Sequence, residues 1–247
     1  SHSFDLGKQL GQGSFGTVFR LKKHPNRCLK LVACSPAVNL DKEISSSSLH
    51  GEVSDCPWIV SIYEFGLIKQ GRKDTKTHTS SSGLHKTYCA YNIMEVCRGG
   101  ELFDAISNLA YTHDTKLTNT VCRRLIEALC TLEKTGIVHC DIKPENIMLA
   151  IGAPYVVDYT SVRIVDFGGA VMTGSISGTS TVAYRSPEQM RSPNIVTCKS
   201  DVFSMGLIFA LILFYSADYK CIPGYSFFDQ WMNATSEHEY MTARRQW

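Results

Sequence analysis

The hydrophobic period of this chain changes once, near residue 101, and that change narrows the folds open to it. Across residues 4–34 apolar and polar positions alternate, with Val18, Arg20 and Lys22 on one face and Phe19 and Leu21 on the other. Alternation of this kind marks half-buried strands. Two more strand-like runs follow, IVSIYEFGLI at 59–68 and TYCAYNIMEV at 87–96. The polar stretch between them, QGRKDTKTHTSSSGLHK, is expected to be a long, mobile hairpin connection. Beyond residue 101, Val121, Leu125, Leu129 and Leu132 share a helix face, and Gly136 stands where that helix would stop. No internal repeat is apparent. The expected architecture is α+β, a single domain over 1–247. It has a small β-rich lobe over 1–96, a connection beginning near 95, and a larger, mainly helical lobe over 97–247.

Several function classes drop out on composition. Charged residues are 19% of the chain and the net charge is +2, so nothing calls for a nucleic-acid partner. Ten cysteines are scattered without a CxxC pair or a repeating ligand spacing, which disfavours zinc. Reduced thiols in an intracellular protein of the cytoplasm or nucleus are the expected state, and the first residues do not read as a secretory leader. The apolar run Val202 to Ala217 is 16 residues long and interrupted by Ser204 and Gly206. A bilayer needs roughly 20 such residues, so the run is expected to be a helix buried on all sides of a core, with no membrane span.

The glycines of LGQGSFGTVFRLKK have the spacing Gly11-x-Gly13-x-x-Gly16. A dinucleotide fingerprint would need a helix next, whereas Thr17 to Leu21 alternates and is β-branched. A strand therefore follows, and the glycines form a hairpin tip whose backbone N–H groups can approach phosphate oxygens. Lys30 then lies mid-strand between Leu29 and Leu31, either facing solvent or facing an anion. In IVHCDIKPENIML, apolar flanks at 137–138 and 147–149 bracket His139, Asp141, Lys143, Glu145 and Asn146. Such a pinned polar loop is either a solvated turn or a catalytic one. In IVDFGGA, Asp166 ends an apolar strand, as a turn residue or as a ligand for a hard cation.

Taken together, GQGSFGTV, CLKL, HCDIKPEN, DFG, SPE and SDVFSMG occur in an order and at spacings that resemble the eukaryotic protein kinases. The resemblance runs from about residue 4 to about residue 215, and the Lys-Pro-Glu-Asn after Asp141 is similar to serine/threonine kinases. It implies a bilobal fold and transfer of the γ-phosphoryl group of Mg-ATP to a protein hydroxyl. Gly11, Gly13 and Gly16 would cover the phosphates with Phe15 at the tip, Leu10 and Ser14 would belong to the same ATP site, and Val18, Cys28 and Met148 would line the adenine. Met94 would be the gatekeeper, Glu95 and Cys97 the backbone contacts of a hinge, and Glu101 a neighbour of the ribose. Lys30 would grip the α- and β-phosphates, braced by Glu43. Asp141 would accept the substrate proton, Lys143 steady the γ-phosphate, and Asn146 and Asp166 hold Mg²⁺. Ser175, Ser177, Thr179, Ser180 and Thr181 fall in the activation segment, with Thr181 against Asp141 and Lys143. Asp201 would anchor the catalytic-loop backbone, and His139 would pack near Phe167. Glu101 and Glu145 could draw basic residues of a protein substrate.

The departures are as informative. Cys140 replaces the arginine that in the family receives a phosphate from the activation segment, so activity without such phosphorylation is expected. Ser45 to Ser48 follow Glu43 and are poor helix formers, so its helix is expected to fray. Nineteen residues separate Asn146 from Asp166, and GAPYVVDYTS is expected to extend a hairpin away from the nucleotide. The chain ends at Trp247, which implies a C-terminal lobe incomplete relative to the family and leaves Glu188 without its arginine. A pseudokinase or nucleotide-binding scaffold is the alternative to an active kinase.

Overall fold

The computed structural model describes residues 4–13, 16–33, 39–68, 78–79, 85–86, 88–108, 110–111, 114–152, 156–176, 180–190, 194–216 and 239. The chain divides into two compact units, Ser1–Asp55 with Val60–Val96, and Cys56–Ile59 with Cys97–Trp247.

The first unit is built on strands β1 (Leu6–Gly13), β2 (Gly16–Leu21), β3 (Arg27–Ala33), β4 (Ile62–Leu67) and β7 (Tyr88–Glu95). They form one antiparallel sheet in the order β1-β2-β3-β7-β4. The strand period decides its two faces. Leu21, Leu29, Leu31, Tyr91 and Ile93 are buried together on one face, with Phe4, Leu6 and Phe19 packed against them. Cys28, Lys30 and Val32 therefore occupy the other face, where Val18 stands opposite Lys30 on one side and Asn92 on the other. Gly16 is required by packing: a Cβ there would run into the Leu31 carbonyl. Within the 70–86 connection, β5 (His78–Thr79) and β6 (His85–Lys86) pair antiparallel, and the rest lies outside the described residues. The 59–68 run does not form one strand. Only Ile62–Leu67 joins this sheet, while Ile59 belongs to the second unit and bridges Ile164.

Helix α1 (Leu40–Glu52) corrects the expectation of fraying. Asn39 caps it, its side chain accepting from Lys42 N–H at 3.1 Å. The serines suit the interface instead of breaking the helix. Ser46 and Ser47 are buried, and Ser47 donates to Asn92 Oδ1 at 3.0 Å. His50 Nε2 lies 2.7 Å from the Val60 carbonyl. Small hydroxyl side chains let α1 approach the polar row of the sheet while keeping their hydrogen bonds.

In the second unit, α3 (Thr115–Thr135) follows α2 (Leu102–Ser107) and buries Thr118, Val121, Leu125, Ala128 and Leu132. Ala128 takes the buried position expected for Leu129, which is only half-buried. Asp114 caps α3, accepting from Leu117 N–H at 2.8 Å, and Gly136 ends it in the left-handed conformation at φ 69°. The Cys56–Ile59 segment is fastened to this helix, since Trp58 Nε1 donates to Glu127 Oε2 at 2.6 Å and the Arg124 guanidinium lies 4.4 Å over the Trp58 ring. Two two-stranded elements hold the polar loops. Strand β8 (Ile137–Val138) pairs β11 (Val171–Met172), and β9 (Ile147–Leu149) pairs β10 (Val162–Ile164).

Helix α4 (Cys198–Ser216) contains the apolar run. Met205, Ile208, Leu211 and Ile212 are buried, but Val202 is 55% and Leu213 53% exposed, so the helix is not buried on all sides. Among the described residues, no helix is long and apolar enough to cross a membrane.

Candidate active site

The polar loop between β8 and β9 is built around its backbone. Asp201, buried in the first turn of α4, accepts the N–H of His139 at 2.6 Å and of Cys140 at 3.0 Å. Burial pushes the Asp201 carboxyl up from its ordinary value, against the pull of the two N–H donors. His139 Nε2 lies 2.9 Å from the Val165 carbonyl, and its Nδ1 accepts from Asp141 N–H at 3.3 Å. That pattern selects the neutral tautomer protonated on Nε2. The ring stands edge-on to Phe167 at 4.7 Å, so His139 braces the loop.

The loop's reward is the placement of Asp141. Its Oδ1 accepts both the N–H and the hydroxyl of Thr181, each at 2.8 Å. Its Oδ2 accepts from Asn146 Nδ2 at 3.0 Å and lies 3.2 Å from Lys143 Nζ. Lys143 Nζ also donates to Thr181 Oγ1 at 2.8 Å. Burial alone would raise the Asp141 carboxyl, but the Thr181 hydrogen bonds and the Lys143 charge outweigh it and hold the group below its ordinary value. Asp141 is an anion at neutral pH. Asn146 Nδ2 also donates to the Asp141 carbonyl at 2.8 Å, so the amide nitrogen is spent on Asp141 and the amide oxygen is turned from it. The Val165 N–H donates to the Asn146 carbonyl at 2.9 Å, which sets the exposed Asp166 beside that loop. Asp166 has φ 64° and Cys140 φ 71°, the two positive values among described residues other than glycine.

Residues 98–101 run along β9: Gly99 N–H donates to Leu149 O and Leu149 N–H to Gly100 O, both at 2.8 Å. Glu101 and Met148 are bridged here, and Glu101 titrates above its ordinary value because of burial and the charges of Asp104 and Glu145. Of the hinge candidates in the first unit, Glu95 donates its N–H to Ser61 O at 2.9 Å, and its carbonyl accepts the Cys28 thiol at 3.4 Å. Burial pushes that thiol up to about 11, so it stays protonated. Met94 faces Cys28 across the sheet. Glu43 lies four residues before Ser47 on the same face of α1, and Ser47 reaches Asn92, the cross-strand neighbour of Lys30. Leu10, Gly11, Gly13, Gly16 and Val18 lie in the β1–β2 hairpin, whereas Ser14 and Phe15 lie outside the described residues, as do Ser177 and Thr179. Cys97 is half-buried, and Ser175 donates its N–H to Met172 O at 3.1 Å.

A family model, the protein kinase domain, matches residues 4–239 of this chain. The chain belongs to the protein kinase domain family. The kinase domain is 25% identical over 218 residues to calcium-dependent protein kinase 24 of Arabidopsis thaliana, covering 85% of this chain and 34% of that protein. It is 28% identical over 235 residues to the serine/threonine-protein kinase PKZ1 of Phytophthora infestans, covering 86% and 54%. To the serine/threonine-protein kinase PknK of Mycobacterium bovis it is 27% identical over 241 residues, covering 95% and 20%. The chain thus spans about half or less of the length of these relatives.

Two features of the kinase domain escaped the sequence reading. Glu188 accepts from the Ser200 hydroxyl at 2.8 Å, a partner other than the arginine expected of the family. Ser186 and Gln189 form a reciprocal cap: Ser186 N–H donates to Gln189 Oε1 at 2.8 Å, and Gln189 N–H to Ser186 Oγ at 3.4 Å. The signal for it, Ser-x-x-Gln, is present in SPEQ.

Proposed function

We propose that this kinase domain is catalytically active and transfers the γ-phosphoryl group of Mg-ATP to a serine or threonine hydroxyl of a protein. The observation that carries the reading is Asp141, kept ionised and aimed by Thr181, Asn146 and Lys143. In the reaction the substrate oxygen bonds to the γ-phosphorus, the bond to the β–γ bridging oxygen breaks, ADP leaves, and the hydroxyl proton passes to Asp141. Lys143 offsets the charge on the γ-phosphate. Lys30, braced by Glu43, holds the α- and β-phosphates, and the backbone of the β1–β2 hairpin covers them. A Cβ at Gly11 would meet nothing within 4 Å, so packing within the chain does not ask for glycine there, whereas close approach of a phosphate does. The family resemblance gives roles toward adenine to Val18, Cys28, Met94 and Glu95 of the first unit, and to Cys97 and Met148 of the second.

The donors fit a Mg²⁺ ion. The Asn146 amide oxygen is turned from Asp141 and the Asp166 carboxylate is exposed beside it, a pair of hard oxygens suited to a cation that arrives with phosphates. Bound there, Mg²⁺ would neutralise phosphate charge.

Glu101, Asp104 and Glu145 interact as an acidic group, which supports a preference for basic residues near the phosphoacceptor. An intracellular location, cytoplasm or nucleus, belongs to the same proposal and is supported by eight free cysteines among the described residues. The scaffold alternative drew on a frayed Glu43 helix and on the short C-terminal lobe, and of these the helix is formed. The test is transfer of radiolabelled γ-phosphate to a generic basic protein. Transfer is expected from the wild type and a loss of about 100-fold or more in Asp141→Asn. Mg-ATP binding without transfer would establish the scaffold instead.

A further inference from the structure

Segment 180–190 is fastened by its own side chains. Arg185 Nε donates to Ser180 Oγ at 2.8 Å and to Ser180 O at 3.2 Å, and Nη2 donates to the same carbonyl at 2.9 Å. Ser180 is bonded directly to Thr181, whose N–H and hydroxyl both end on Asp141 Oδ1. The root of Arg185 is held on either side. Before it, the Tyr184 carbonyl accepts from the buried Ser204 hydroxyl of α4 at 2.7 Å. After it, Ser186 is fully buried in its reciprocal cap with Gln189. The guanidinium reaches back from this anchored point, across the turn at Val182–Tyr184, and clamps the residue that precedes Thr181.

Two parallel donors on one planar group fix direction as well as distance, which an ammonium does not. Without the clamp, ordering Ser180 would have to come from elsewhere. Cys140 is buried among Val138 and Val196 and brings no charge to this segment.

We propose that Arg185 is a positioning residue for phosphoryl transfer: by holding Ser180 it sets Thr181 against Asp141 with no phosphate on the segment. This rests on the reading above that Asp141 carries the transfer. The experiment uses the 247-residue chain as wild type, Arg185→Ala, Arg185→Lys, Ser180→Ala and the Arg185→Ala/Ser180→Ala double variant. Amide hydrogen exchange at Thr181 reads the clamp without requiring activity. It is expected to quicken about tenfold in Arg185→Ala. The kcat for a peptide is expected to fall about tenfold, with KM for ATP changing less than about twofold. Arg185→Lys retains charge without the fork and is expected to stay closer to Arg185→Ala than to wild type. The double variant is expected to be no worse than Arg185→Ala alone, because Ser180→Ala removes only the bond to Oγ, and Arg185→Ala already removes that bond together with the two to the Ser180 carbonyl.

Unchanged Thr181 exchange in Arg185→Ala overturns the proposal, whether or not the chain is active. Wild-type kcat in that variant, or a double variant clearly worse than Arg185→Ala, overturns it as well. If Arg185→Ala does not fold, Arg185→Lys carries the same outcomes. A wild type that transfers no phosphate refutes the proposed function, while the exchange result still decides whether the clamp exists.

Discussion

The backbone N–H of Cys140 donates to Asp201 Oδ1 over 3.0 Å, although 61 positions separate the two residues. Cys140 makes this bond from φ 71°, a conformation that costs a residue with a Cβ about 1–3 kcal/mol. The carboxylate of Asp201 offsets that strain, taking the neighbouring N–H of His139 with its other oxygen.

Asp201→Asn keeps the size of this side chain but offers one oxygen to two N–H donors. A buried donor left without an acceptor costs about 1–3 kcal/mol. Urea unfolding should show a midpoint lowered accordingly. An unchanged midpoint would mean the loop conformation does not depend on the pair.

Restoring an arginine at position 140 should not restore a phosphate switch. Cys140 is 4% exposed among apolar neighbours, so Cys140→Arg desolvates a charge without a partner there. A loss of about 3 kcal/mol or more is expected, read as a lower Tm. The native residue carries no charge for a phosphate, so phosphatase treatment of the wild type should leave turnover intact. A treated sample that loses all turnover contradicts this.

The stability contributed by Asp141 has a defined pH dependence. Its folded-state pKa is below the ordinary 3.8, so the native state favours the ionised form more than the unfolded chain does. The contribution is full above 3.8 and disappears as the pH falls through the lower folded-state value. Compared by urea unfolding, the gap between wild type and Asp141→Asn should hold steady at neutral pH and close only below 3.8. Closure at a higher pH would show that the carboxyl is not held down.

Glu101 gains little from its own surroundings, since burial, Asp104 and Glu145 all oppose its charge. A cationic side chain of a substrate would relieve that. In a peptide panel, arginine upstream of the phosphoacceptor should lower KM severalfold, and Glu101→Gln should remove about 1 kcal/mol or less of that advantage. No benefit from arginine would exclude the preference.

Much of the fold was legible because it depends on local period. Phe19 and Leu21 do enter one apolar cluster, and Val121, Leu125 and Leu132 do line the buried face of α3. Where local reading misled, a distant partner had decided the outcome. The serines after Glu43 look unfit for a helix until Asn92 appears opposite Ser47. The run at 59–68 reads as one strand, yet Ile59 pairs with Ile164 and leaves the sheet. Val202 and Leu213 look like core and are exposed, because apolarity says how a residue could be buried and not whether another element covers it.

The sequence by itself determined which groups are available for the chemistry: the glycine hairpin, Lys30, Asp141, Lys143, Asn146 and Asp166, in an order and spacing that carry the family resemblance. It also determined the absence of an arginine before Asp141. Only the tertiary structure decided which partners surround that position. Asp201 holds the Cys140 peptide, Thr181 closes on Asp141, and Arg185 clamps Ser180. Residue type and spacing state what a side chain can donate or accept. Which partner it meets is settled by packing between segments far apart in the chain, at the atoms where a buried polar group must find one.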